Sequence, residues 1–461
     1  MKFSIKLGNY LYILLLIAYI FLCYFLVNNN YFLENWSKTI SVISFFSLIF
    51  QVIVLKFEKF RVWEYQIISI VLLHIFMFGR IYLNALELDD NIYWNLLNSF
   101  DNKILYNSSL IVLAGIMTVF VSFVLTKQKH SFIKDFNLIK KQNISALYNT
   151  GLILFLISLP FRLFEDIRAI LLVQFSQSYS ALNSTFGLFR EPAKLFLPSL
   201  IFILVFLFVS HKRSYKTILL TSIAYFILIM IFTGDRRYQT LSILSILALH
   251  MYLTNIKLFT FKTIFYIIFA ILFIDVLTIL SELRLNEFTL NSFITNYGSE
   301  YGIIYRVFRS FGYSIFSVAQ VYKYIPNIIN YQYGLSFVGS IISILPIGWL
   351  LPGFFEKVSI SNYLYSTTNI PTGGSIIGDS YANFGLFYIV FLLLFYMFIS
   401  KIMHFSKMKN DLLKIVLYYS LFPLILNLVR ASFFEIFRTV IIVTIVPIIV
   451  YKTQTKRIKK R

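Results

Sequence analysis

The chain has 461 residues, 59% of them hydrophobic and only 13% charged, and a mean hydropathy of +0.78. So few charges cannot cover a water-facing surface, which excludes an ordinary soluble globular protein. The net charge of +21 suggests nucleic acid at first sight, but the basic residues are distributed as a membrane topology signal.

Apolar windows of about 18–20 residues recur along the chain, the length that crosses a bilayer core. They are continuous, without the alternation of a barrel strand, and therefore predict helices. Twelve spans are predicted, at about 10–27, 38–55, 64–84, 105–125, 145–161, 195–210, 217–233, 238–254, 263–281, 376–400, 412–429 and 438–451. The expected fold is all-α, a polytopic membrane helix bundle forming one integral membrane domain over residues 1–461. The first run lacks a small-residue cleavage site and reads as a retained span, not a signal peptide. The single cysteine, Cys23, lies in that span; it excludes a disulfide within the chain and a thiolate metal cluster.

Between the spans, the connections alternate in character. "KFEKFR", "TKQKHSFIKDFNLIKK", "HKRSYK", "KLFTFK", "KIMHFSKMKND" and the tail "KTQTKRIKKR" fall on one side with the N-terminus. With their flanks they hold 25 of the 41 basic residues and 4 of the 20 acids. The positive-inside rule makes this face cytoplasmic, with both termini inside, and the basic tail suits anionic lipid headgroups better than nucleic acid. Residues 162–194 and 282–375 form the long external connections, the second between spans nine and ten. Within it, "LSFVGSIISILPIGWLLPGFF" (335–355) is apolar, but its prolines disfavour a straight span, so it reads as re-entrant or interfacial.

Lysine and arginine are sorted by side: 21 Lys and 4 Arg inside, 5 Lys and 11 Arg outside. Lysine inside is the ordinary signal. Arginine outside runs against it and suggests an anionic ligand, phosphate first, because guanidinium grips its oxygens through paired hydrogen bonds. Pairing with Glu165, Asp166, Glu191, Glu300 and Glu435 is the structural alternative.

Neither a P-loop nor HExxH, DxD or a Cys/His pairing occurs, so no metal or cofactor is expected. His74 and His250 read as hydrogen bonders within the bundle. Three arginine-centred stretches stand out. "TGDRR" places Asp235, Arg236 and Arg237 at an external turn, where two guanidiniums could clamp a diphosphate. "SELRLNEF" and "EYGIIYRVFRSFGYS" supply Glu282, Arg284, Arg306 and Arg309; the last two, three apart, share a helix face among aromatics. "NLVRASFFEIFRT" brackets the last external turn with Arg430 and Arg438. Before the tenth span, "NIPTGGSIIGDSYANFGLFYIV" offers glycines for close backbone approach, and Asp379 and Asn383 four residues apart on one face.

A dozen spans, a long external connection late in the chain, "TGDRR" at an external turn and "PTGGSIIGDSYANFG" leading into a helix together resemble bacterial O-antigen (oligosaccharide repeat-unit) polymerases of the Wzy type. In layout the resemblance covers nearly the whole chain. It implies a glycosyltransferase at the outer face of the bacterial inner (cytoplasmic) membrane. The enzyme transfers a growing glycan from undecaprenyl diphosphate to an incoming lipid-linked repeat, without nucleotide or cofactor. A flippase and a chain-length regulator are the implied partners, beside the lipid bilayer. Such a reaction needs arginines for the departing diphosphate and a base for the accepting hydroxyl, for which Asp235, Glu282 and Asp379 are the candidates. Two other readings share the layout: a lipid-linked oligosaccharide flippase or transporter, and another polyprenyl-phosphate-dependent glycosyltransferase or ligase. A transporter should show internal repeats and charges near the midplane. No repeat is visible here, and the clearest within-span charge is Asp275.

Overall fold

A computed structural model describes residues 7–29, 33–88, 100–127, 141–176, 187–233, 237–254, 303–344, 352–368, 373–405 and 412–460. Among these residues the regular structure is helical, with no strand. The helices are α1 (Leu7–Asn29), α2 (Trp36–Phe57), α3 (Tyr65–Ala85), α4 (Asn102–Leu125), α5 (Lys141–Ser176), α6 (Gly187–Ala193), α7 (Phe196–Val209), α8 (Ser214–Thr233) and α9 (Arg237–Thr254). There follow α10 (Ile303–Phe311), α11 (Ser314–Tyr324), α12 (Leu335–Ile342), α13 (Pro352–Val358), α14 (Ile360–Thr368), α15 (Ile376–Phe384), α16 (Tyr388–Phe405), α17 (Leu412–Asn427) and α18 (Phe433–Lys460). Nine helical stretches in the described residues are long and apolar enough to cross a membrane, beside the shorter apolar α17.

The polytopic helix bundle expected from hydropathy is therefore observed, with three differences of detail. Residues 162–176, read as the start of an external connection, continue α5 without a break past Pro160, giving a 36-residue helix. That helix is about 54 Å long. The span read over 376–400 is broken into α15 and α16 by a 3-10 turn at Gly385–Phe387. The basic tail continues α18 to Lys460. Hydropathy averages over a window and registers neither a polar helix end nor a one-turn break. The span expected at 263–281 lies outside the described residues.

The chain divides into two compact units. Residues 1–128, 301–402 and 428–438 form the first, and α4 is its centre, buried along almost its whole length. Its serines and threonines are tolerated there because Ser108, Ser109 and Thr118 each donate to the carbonyl four residues back, at 2.6, 2.6 and 2.8 Å. A hydroxyl so satisfied avoids most of the penalty of burial. At one end of this unit Glu58 accepts hydrogen bonds from Tyr12 and Lys127. Burial pushes the Glu58 carboxyl up, but these bonds and the Lys127 charge outweigh it and hold the pKa below the ordinary value.

The tightest approach in the first unit is backbone on backbone. Gly79 of α3 meets Gly312, in the turn between α10 and α11. A Cβ on Gly312 would stand 2.4 Å from the Arg80 amide nitrogen and 2.9 Å from the Gly79 carbonyl carbon; one on Gly79 would stand 3.1 Å from Gly312 Cα. Facing small residues let helices in a membrane close to this distance. Aromatic pairs flank the crossing, Phe76 with Phe311 and Tyr82 with Phe308, with centroids at 5.2 and 5.4 Å.

The second unit contains α5–α9, α17 and residues 439–461, which belong to α18 up to Lys460. Phe196 of α7 packs against Phe155 of α5 and against Tyr225 and Phe226 of α8.

Replacing Gly312 by Val should lower the stability of the purified protein by about 3 kcal/mol or more, since the obstructing atoms are backbone and cannot move aside. Gly353→Ala, at a position open in every direction, should leave thermal unfolding in detergent unchanged or slightly raised.

Candidate functional site

The glycine crossing lies beside a buried arginine in the first unit. Arg80 follows Gly79 on α3 and is only 4% exposed. Its guanidinium lies over the Tyr313 ring, 4.5 Å from the centroid, and donates to the Tyr313 hydroxyl. Tyr313 precedes α11. On α10, Arg306 is 6% exposed, and Arg309 lies 5.9 Å from the centroid of Tyr305. Arg430, in the turn before α18, lies 5.8 Å from the centroid of Phe76, one helical turn before Arg80. Arg80 and Arg430 thus lie beside aromatic rings at α3, while Arg306 and Arg309 sit on α10, the helix packed against it. Guanidinium is weakly hydrated and stacks on rings, so it bears burial here at lower cost than ammonium would.

"PTGGSIIGDSYANFG" builds a junction beside the same turn. A Cβ on Gly374 would stand 2.7 Å from the Ser432 amide nitrogen, so only glycine permits the contact. Ile376 N–H donates to the Leu428 carbonyl at 3.1 Å. The Ser375 hydroxyl caps α15 by accepting the Gly378 N–H at 3.0 Å. Asp379, 3% exposed, accepts the Phe433 N–H at 2.8 Å, placing a carboxylate at the first residue of α18, where the helix dipole favours negative charge. Asn383 lies one turn on; its amide donates to Ser336 Oγ at 2.6 Å, and its oxygen accepts the Gly334 N–H at 2.9 Å.

Of the residues singled out from sequence, Arg306 and Arg309 lie on α10, and Arg430 lies beside Phe76 of α3. Asp379 lies in the junction that carries Arg430. Arg438 is half-buried in the second turn of α18. Arg237 is the first residue of α9. Asp235, Arg236, Glu282, Arg284 and Asp275 lie outside the described residues.

Sequence reading passed over one charged group and left the pairing of another open. Arg80 sits inside an apolar helix, in "MFGRIYL". Hydropathy averages it away, although an intramembrane charge is itself a strong pointer to function. The other group is in the second unit, where Arg162 and Asp166 are four apart on α5. The guanidinium grips the carboxylate twice, Nε to Oδ2 and Nη2 to Oδ1, each at 2.8 Å. Tyr225 of α8 donates to the same carboxylate, and Tyr238 of α9 presents its ring to Arg162 at 4.8 Å. Asp166 is one of the acids offered from sequence as a partner for the external arginines, and for Arg162 that structural alternative holds.

A helix bundle with nine candidate spans among the described residues, and with Arg80 and Arg306 buried inside it, defines a multi-pass membrane protein. The comparisons sharpen that class: the family model for O-antigen polysaccharide polymerase Wzy matches residues 9–461, and the chain belongs to this family. No match was found among curated proteins or solved structures. Family membership brings a polymerase activity of glycosyltransferase type.

Asp166→Ala should destabilise the protein by about 3–5 kcal/mol by stranding a buried guanidinium. The double change Arg162→Met with Asp166→Leu should recover most of the loss, measured by thermal unfolding in detergent.

Proposed function

We propose that this protein polymerises surface glycan at the outer face of the bacterial inner membrane. A growing chain on undecaprenyl diphosphate is the donor, and an incoming lipid-linked oligosaccharide repeat is the acceptor. In the step, the bond between the anomeric carbon of the donor and its diphosphate oxygen breaks. A bond forms from that carbon to the non-reducing-end hydroxyl of the acceptor. The hydroxyl proton passes to a base, and undecaprenyl diphosphate departs with the electron pair of the broken bond.

The observation that carries this reading is the burial of arginines, Arg80 and Arg306 above all, in the first unit. Arg80, Arg306, Arg309 and Arg430 supply positive charge where the leaving diphosphate gains negative charge, inside a poorly hydrated bundle where such stabilisation is strong. Diphosphate is a good leaving group once neutralised, so no nucleotide or metal is invoked. Arg236 and Arg237 of "TGDRR", Arg284 and Arg438 are further candidates for holding substrate. Asp235 and Glu282 are candidates for the base. Asp379 suits a positioning role as well, because its carboxylate fixes the turn that carries Arg430. The 282–375 connection, read as external with interfacial or re-entrant helices, would face the glycans. A flippase would deliver the repeats, and a chain-length regulator would act on the product.

A strain lacking the protein should display single repeats but no long chains, scored by surface-glycan length on gels. Intracellular accumulation of lipid-linked repeats would instead identify a flippase and overturn the proposal. Arg306→Ala and Arg309→Ala should each reduce chain extension at least tenfold while the protein still inserts.

A further inference from the structure

The segment between α11 and α12 holds a tyrosine in an unusual backbone state. Gln332, Tyr333, Gly334 and Leu335 form a tight turn closed by the Leu335 N–H on the Gln332 carbonyl at 2.9 Å. Both central residues have positive φ, 45° at Tyr333 and 88° at Gly334. This is the pattern of a type I′ turn, whose first central position favours Asn, Asp or Gly because a bulky side chain is strained there. The other non-glycine residues with positive φ, Lys59, Glu87 and His211, each follow a helix C-cap, where the left-handed state is routine. Tyr333 has no such reason.

Its conformation is imposed from α15. The Tyr333 N–H donates to the Asn383 carbonyl at 3.0 Å, the Gln332 N–H to the Ala382 carbonyl at 3.0 Å, and the Gly334 N–H to the Asn383 side chain. These bonds hold the ring outward, 79% exposed. Strain maintained by surrounding structure at an exposed side chain points to a role for that side chain.

The surroundings indicate the ligand. Tyr331 stands edge-on to Tyr333, at 6.3 Å, and to Tyr381, at 6.4 Å; Tyr381 in turn lies 6.1 Å from Tyr322. Tyr322 accepts a hydrogen bond from Asn107 at 3.0 Å. Asn327 and Asn330 are exposed on the same segment. Residues 322–333 contain four tyrosines, two asparagines and one glutamine, and no acid. Ring faces alternating with amides suit a ligand with C–H faces and many hydroxyls. A surface serving only the acyl region would not need the amides. Tyr322 lies nine residues beyond Tyr313, about 13 Å along the axis of α11. A lipid-linked sugar with its diphosphate on the buried arginines would extend its glycan toward this cluster.

We propose that the 322–333 segment is a glycan-binding subsite, with the Tyr333 ring as its exposed stacking platform and Tyr331 and the neighbouring amides beside it. This deepens the polymerase reading and rests on it: the bound species is the oligosaccharide of the lipid-linked substrate.

Tyr333→Asn tests the subsite, since Asn removes the ring yet suits the backbone better than Tyr. The full-length protein in lipid nanodiscs is supplied with lipid-linked repeat units from its own host. The variant should unfold at the wild-type temperature or above, while KM for the repeat rises about tenfold with kcat nearly unchanged, the signature of a lost binding contact. Should the Asn variant fail to accumulate, Tyr333→Gly makes the same comparison. An unchanged KM overturns the subsite and assigns the ring to the aromatic belt at the membrane surface. If the wild-type protein extends no chains, the polymerase reading itself fails. Saturation-transfer NMR with the released repeat oligosaccharide then decides the subsite: contact with wild type that Tyr333→Asn abolishes upholds it, and equal or absent contact overturns it.

Discussion

An arginine inside an apolar bundle must be met by groups that replace water, and the contact between Gly79 and Gly312 makes this possible for Arg80. With no side chain on either residue, α3 and the α10–α11 turn close until backbone touches backbone. That closure sets Tyr313 under the Arg80 guanidinium. A single methyl group at Gly312 would hold the elements apart and remove the stacking surface before any charge was altered. Packing therefore precedes electrostatics in this site: the glycines fix the distance, the rings make burial tolerable, and the arginines supply the field.

The two units treat buried arginine differently. In the second, Arg162 is met by a carboxylate in a bidentate pair, with two tyrosines completing its surroundings. Such a pair is electrically closed and ties α5, α8 and α9 together. In the first, rings lie over Arg80, Arg309 and Arg430. A ring face attracts a cation without bringing a full negative charge of its own. The junction built by Gly374, Ser375 and Asp379 fixes, through backbone contacts and one carboxylate, the turn that carries Arg430.

Much of this was legible in the sequence. Apolar runs are long, so most helices of the described residues lie where hydropathy put them, apart from the extended α5 and the break between α15 and α16. The arginines of "IIYRVFRSF" could be placed on one helical face by their spacing alone. What escaped depends on contacts between distant segments. Arg80 vanishes into the average of its span, and its significance arises only when Tyr313, over two hundred residues away, is stacked on it. Asp379 is a candidate base from its sequence setting, and its bond from the Phe433 N–H is a tertiary fact that the sequence does not carry. The end of α5 was misjudged because charged residues such as Arg162 and Asp166 signal a loop, until they pair and allow the helix to run on. Tyr333 carries no local sign of strain, since its φ is set by Asn383 fifty residues later.

The central claim is that the buried arginines of the first unit bind diphosphate, and binding tests it most directly. Farnesyl diphosphate, a short soluble analogue of the lipid carrier, would be titrated against the protein in detergent, beside Arg80→Gln and Arg306→Gln variants of matched thermal stability. The account predicts saturable binding that weakens about tenfold or more in each variant and is much weaker for farnesol, which lacks phosphate. Equal affinity across wild type and variants, or no preference for the diphosphate over farnesol, would contradict it.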